Sequence, residues 1–194
     1  GLLQPGQIVL VSGAGGAVGS MAGQFARLMG AGRVIGSAGG AEKCAWLRDD
    51  CGFDDVINYR DGDFAAELPQ LAPDGIDLFF DNVGGWQLAA ALANMRINGR
   101  ISMCGAISNF GTQEQPSTAV LIETILRRVT IQGFIVRDYE DLRGEFERRV
   151  IDWLASGELV DRSTIVEGIA NAGAGLAGLL AGANVGKALV RLSE

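Results

Sequence analysis

The chain has 194 residues, 48% of them apolar and 20% charged, with a formal net charge of -7, three cysteines, no histidine and 29 glycines. That is the size and composition of one globular domain able to bury its apolar surface without staples, with glycine at about twice its usual share of roughly 7%. The acidic balance excludes a nucleic-acid partner and an anionic membrane surface, both of which need a basic face.

Ile8-Val9-Leu10-Val11 is short, apolar and β-branched, and predicts a buried strand. After Ser12 to Gly19, the residues Val18, Met21, Ala22, Phe25 and Met29 recur at helical spacing until Gly30 and Gly32 stop the helix. A second strand is predicted over 33–37, a helix over 42–50 and a third strand over 55–58. Then come a helix over 64–71, a fourth strand over 76–81, a helix over 86–95 and, past the Asn98-Gly99 turn, a fifth strand over 100–104. Residues 120–127 predict a helix and 130–136 a sixth strand. Leu142, Phe146, Val150, Trp153 and Leu154 line one face of a long helix, with Asp138 as its N-cap and Gly157 as its stop.

Two last strands, 163–166 and 187–192, flank a glycine-rich helix. The uncharged stretch 168–186 is about as long as a bilayer is thick, but it contains Asn171, Asn184 and six glycines. Leu176, Leu179 and Leu180 give it one apolar face, which suits a soluble amphipathic helix rather than a membrane span. Strands alternating with helices of this length form βαβ units. The fold is α/β, a doubly wound parallel sheet in the order 3-2-1-4-5-6, one domain over residues 1–194. Cys44, Cys51 and Cys104 have no metal-ligand spacing and read as reduced small hydrophobes, which fits a cytoplasmic protein without a metal site.

The turn between the first strand and the first helix carries the chemistry. Gly13, Gly16 and Gly19 are spaced G-x-x-G-x-x-G; against the dinucleotide fingerprint G-x-G-x-x-G, Ala14 takes the first position. Such a turn brings backbone N–H groups and a helix N-terminus against a pyrophosphate, which places Ala14, Gly16, Ala17, Val18 and Gly19 at the phosphates of a Rossmann fold. No G-x-x-x-x-G-K-[ST] occurs, which argues against a P-loop NTPase. NAD sites place an Asp or Glu at the end of the second strand to bind the ribose hydroxyls. Here that end is Gly36-Ser37-Ala38-Gly39-Gly40, small and uncharged, with Lys43 following. A 2′-phosphate needs space, a donor and a cation, which Gly40, Ser37 and Lys43 offer, so NADP is expected rather than NAD.

Further blocks are recognisable: Gly39-Gly40-Ala41-Glu42-Lys43-Cys44, Asn58-Tyr59, Phe80-Asp81-Asn82-Val83-Gly84-Gly85, Cys104-Gly105-Ala106-Ile107-Ser108 and Gly133-Phe134-Ile135-Val136. With the glycine turn they resemble the medium-chain dehydrogenase/reductase superfamily. The nearer resemblance is to its zinc-free branch of prostaglandin/leukotriene, curcumin and plant alkenal reductases. That resemblance implies NADPH-dependent reduction of the carbon–carbon double bond of a small-molecule enone. It implies that Lys43 and Tyr59 hold the adenosine 2′-phosphate and that Asn82, Cys104, Gly105 and Ala106 border the ribose and nicotinamide. Phe134, Ile135, Val136 and Asn184 would close over the nicotinamide. Tyr139 matches a tyrosine near the substrate carbonyl, where its hydroxyl stabilises an enolate, although a tyrosine at a helix start also packs half-buried. Phe110 stands where the family often has a tyrosine.

The resemblance also implies a GroES-like barrel N-terminal to this chain, toward which the segment from about 160 to 194 returns, and a homodimer paired through strand 130–136. A free-standing NADP-binding module without catalysis, a sensor or scaffold, fits the same residues.

Overall fold

Alternating side-chain direction along short apolar strands gives a sheet two buried faces, and the computed structural model, which describes residues 3–109 and 121–192, shows the outcome. Strands β1 (Ile8–Val11), β2 (Arg33–Ala38), β3 (Asp55–Asn58), β4 (Ile76–Asp81), β5 (Met95–Met103) and β6 (Thr130–Gly133) form one parallel sheet in the order β3-β2-β1-β4-β5-β6. The crossovers are α1 (Ala17–Leu28), α2 (Ala41–Asp49), α3 (Phe64–Leu71), α4 (Gly85–Ala93) and α5 (Ile122–Arg127). The expected doubly wound order holds.

Leu10, Ile35, Ile57, Phe79 and Ile101 point to one face and are sealed by Phe64 and Leu68 of α3 and Leu92 of α4. Val9, Val11, Val34 and Leu78 point to the other and meet Leu47 of α2 and Phe53. Each such side chain contributes about 1.5–3 kcal/mol on burial. The order reverses between β1 and β4, so a crevice opens at their C-terminal ends, where doubly wound sheets bind ligands.

The larger departures from the expected boundaries lie at the α4–β5 junction, the end of β6 and the start of the long helix. α4 stops at Ala93 and β5 starts at Met95, because Met95 already pairs with Ile76 before the register breaks ahead of Leu78–Arg100. Asn98-Gly99, with Asn98 at φ 64°, is therefore a bulge inside the strand and not its start. β6 ends at Gly133 rather than Val136, since its partner β5 ends at Met103, opposite Gly133, and the chain beyond has no ladder to join. The residues Val136–Leu142 form a 3-10 stretch, and helix α6 (Arg143–Ser156) starts only after it, so Asp138 is not its cap. Gly157, at φ 77°, ends α6 as expected.

Beyond α6, β7 (Ser163–Glu167) and β8 (Lys187–Arg191) pair in parallel around α7 (Ala172–Leu180) as a separate two-stranded sheet. A lone bridge joins Gly186 to Gly16 in the glycine turn. α5, α6 and α7 contain no buried residue. The apolar face of α6 looks across cavities of about 610 and 970 Å³ that both reach Leu78, Phe80 and Phe146. Among the described residues no helix is long and apolar enough to cross a membrane.

Candidate functional site

The glycine turn is built by close backbone approach. Gly13 adopts φ 58°, so it and not Ala14 is the left-handed residue of the turn. Ala14 is fully buried and its N–H donates to Ser37 O at 2.8 Å, which ties the turn to β2. A Cβ on Gly19 would lie 2.7 Å from Ala14 Cα and closer still to Gly13 O, so α1 can start this near to β1 only with glycine there. Gly16 is the N-cap of α1 with no side-chain cap, and its own Cβ position is open, the nearest atom being Gly13 O at 3.5 Å. The amides that open α1, including those of Ala17 and Val18, thus face the crevice uncapped, and the half-exposed Val18 side chain points away from the core.

The loops after β4 and β5 are clasped to this turn. Buried Asp81 accepts the Ser12 hydroxyl at 2.6 Å and the N–H groups of Val83 and Gly84 at 2.9 and 3.0 Å, all on Oδ1; its Oδ2 has no partner among the described residues. Ser12 Oγ in turn accepts the Asn82 N–H, and the Asn82 side-chain amide donates to Ser12 O at 2.7 Å. The N–H groups of Cys104 and Gly105 donate to Asp81 O, and Ala106 abuts Gly84. The fold therefore brings Asn82, Cys104, Gly105 and Ala106 to the strand ends together, beside the glycine turn. Burial, helped by the Asp81 charge, pushes the Cys104 thiol up from its ordinary value, so it is an uncharged wall.

At the end of β2, Gly40 takes φ 104° and its N–H donates to the Asn58 side chain at 2.9 Å. A Cβ on Gly39 would lie 2.7 Å from Tyr59 Oη and 2.9 Å from Arg60 Nε, so the tyrosine and arginine from beyond β3 lie over that glycine. Edge contacts with Trp86 orient the Tyr59 ring. Lys43 lays its methylenes across Gly15, and its ammonium donates to Gly182 O at 2.9 Å. Desolvation first, and Arg60 second, lower the pKa of Lys43 from 10.5. Ser37 is a correction: its hydroxyl is buried and donates to Gln87 Oε1 at 2.6 Å, so it is not the donor at this rim.

The remaining candidates are less concentrated. Phe134 stacks between Phe80 and Tyr139, at centroid distances of 6.0 and 6.3 Å, and Tyr139 lines the larger cavity with them. Ile135 and Val136 lie past the end of β6 and are exposed. Asn184 is buried, with its amide donating to Gly186 O at 2.7 Å, two residues from the bridge to Gly16. Phe110 lies outside the described residues. Two residues were missed by sequence reasoning, Asp81 and Arg60. Strand order alone points to the second, because it follows β3, the neighbour of β2.

Residues 17–156 match the family model of zinc-binding dehydrogenases. The chain is 40% identical over 190 residues to the NADP(+)-dependent 2-alkenal reductase of Nicotiana tabacum, covering 97% of this chain and 55% of that protein. It is 36% identical to the NADPH-dependent curcumin reductase of Escherichia coli, covering 97% and 56%. The crystal structure of CurA from Vibrio vulnificus in complex with NADPH superposes with a TM-score of 0.91 at 38% identity, over 98% of this chain and 58% of that one. The chain spans little more than half the length of these relatives.

Proposed function

The chain belongs to the zinc-binding dehydrogenase family, in the medium-chain branch of alkenal, curcumin and prostaglandin reductases, and from that premise we propose that it is the NADPH-binding domain of an enone reductase. The observation that carries the reading is the end of β2. Where an NAD site sets a carboxylate, this chain has Gly39 and Gly40, with Tyr59 laid over Gly39 and Lys43 beside them. The glycine cradle fits the pyrophosphate, with Gly16 open and α1 uncapped toward it.

Bound NADPH supplies the hydride. The chain's own residues orient it: Asn82, Cys104, Gly105 and Ala106 form the wall at the ends of β4 and β5, and Phe134, Ile135, Val136 and Asn184 border the nicotinamide end. The Tyr139 hydroxyl donates to the enone oxygen as negative charge gathers there. The rest of the pocket belongs to a GroES-like barrel, toward which residues from about 160 to 194 return. The working form is a cytoplasmic homodimer. β6 is the sheet edge, exposed along its length and without charge or proline, which suits pairing about a two-fold axis.

The test is a pair of fluorescence titrations of the full-length protein with NADPH and NADH, and an absorbance assay with a simple enone. Preference for NADPH with enone turnover supports the reading; equal affinities refute the cofactor assignment, and absence of turnover across an enone panel refutes the reaction. Lys43→Ala is expected to shrink the NADPH/NADH ratio by roughly 10-fold or more, as loss of a charge-assisted bond does.

A further inference from the structure

Arg60 and Lys43 stand side by side in a chain of net charge -7. Neither takes part in an ion pair among the described residues, while the acidic neighbours are engaged elsewhere: Glu42 with Arg162, and Asp61 with the Asn58 amide. Their partners are neutral. Arg60 Nη2 donates to Ala181 O at 2.7 Å and Lys43 Nζ to Gly182 O at 2.9 Å, the carbonyls just past the end of α7. The two heads converge, lying 3.0 and 3.7 Å from the point a Gly182 Cβ would occupy. The other end of the guanidinium, Nε, lies with Tyr59 Oη over Gly39. Arg60 thus spans from the end of β2 to the end of α7. Two cations this close repel one another, and only a strong anion between them offsets that better than a carbonyl dipole.

We propose that Arg60 is a specificity-determining cation of the adenosine 2′-phosphate site, gripping the phosphate jointly with Lys43 and releasing the carbonyls of Ala181 and Gly182 as it does so. The inference rests on the NADPH reading above and adds to it a second cation and a moving part. A planar guanidinium presents two parallel N–H groups to phosphate oxygens, which an ammonium does not. The C-terminal segment that crosses the glycine turn through Gly186 thereby senses whether the 2′-phosphate is present.

The experiment titrates full-length parent, Arg60→Ala and Arg60→Lys with NADPH, NADH, 2′-AMP, 5′-AMP and inorganic phosphate. Arg60→Ala is expected to weaken NADPH and 2′-AMP by ~10-fold or more and to leave NADH and 5′-AMP within about twofold, with Arg60→Lys in between. Inorganic phosphate is expected to compete with NADPH far more weakly than 2′-AMP; equal competition would mean a general phosphate site and overturn the assignment. Hydrogen exchange at the amides of 181–186 is expected to rise with NADPH and not with NADH, and unchanged exchange overturns the release of the carbonyls. A parallel loss for NADPH and NADH in Arg60→Ala would show that Arg60 supports the fold only. If the parent itself fails to discriminate the two cofactors, the NADPH reading falls; if it discriminates and Arg60→Ala discriminates equally well, that reading stands and Arg60 has no part in it.

Discussion

Two glycines of one fingerprint do separate jobs in this fold, and substituting each with alanine separates them. At Gly19 the added methyl meets backbone, Gly13 O and, at 2.7 Å, Ala14 Cα, neither of which can swing aside as a side chain tip would. α1 has to lift off β1. Overpacking of this kind costs about 1–3 kcal/mol. For a domain of this size each kcal/mol lowers Tm by roughly 2–4 °C, so Gly19→Ala is expected to melt about 2–12 °C below the parent. At Gly16 the backbone, φ -93° and ψ 175°, suits any residue and the nearest atom is 3.5 Å away. Gly16→Ala is therefore expected to keep the parent Tm within about 2 °C, a stability change of under ~1 kcal/mol. It should nevertheless bind NADPH more weakly, because under the proposed function the added methyl would stand where the pyrophosphate approaches the helix start. Differential scanning fluorimetry and a cofactor titration on the same preparations measure both. A Gly19→Ala protein as stable as the parent, or a Gly16→Ala protein with undiminished affinity, would refute the division of labour.

Other outcomes follow from the same geometry. Gly39→Asp puts a side chain against Tyr59 and Arg60, and is expected to reduce the NADPH/NADH affinity ratio; a ratio equal to the parent's would contradict the placement of the 2′-phosphate at this rim. If Tyr139 is the proposed oxyanion donor, Tyr139→Phe in the full-length protein is expected to lower enone turnover by roughly a hundredfold, the order for one lost donor, with little effect on NADPH affinity. Unchanged turnover would reduce Tyr139 to its packing on Phe134. Burial pushes the Cys51 thiol up to about 12, so the fold keeps a proton that the unfolded chain gives up near its ordinary 9.0. Stability is expected to fall as pH rises from 9 toward 12, and the gap between urea midpoints at pH 8 and 10 should be smaller in Cys51→Ala than in the parent. For Lys43 the shift is opposite. Its proton leaves below 10.5, so the preference for NADPH over NADH is expected to fade at a pH below the ordinary lysine range.

The sheet and its order were legible because β1, β2 and β4 are apolar on both faces, and only a parallel sheet between two helix layers buries such strands. The glycine turn was legible for the same local reason, a strand before it and a helical period after it. What escaped was decided by neighbours rather than by local pattern. β6 stops at Gly133 because β5 ends opposite it, and no property of Phe134 to Val136 reveals that. Ser37 was assigned to the phosphate from its position at the end of the strand. Yet strand alternation sets it on the same face as Ile35, toward α4, where Gln87 takes its hydroxyl. Arg60 is unremarkable in its own segment and becomes informative once β3 lies beside β2 and the end of α7 lies over both.

The bridge between Gly16 and Gly186 joins residues far apart in sequence at the glycine turn. The strands of the six-stranded sheet can dock one on another in chain order, but this contact waits for Gly186, which lies beyond all six of them. Such a contact carries a high loop-closure cost and forms late. A folding chain therefore passes through a stage in which the sheet is assembled and the contact of Gly186 with the glycine turn is still open.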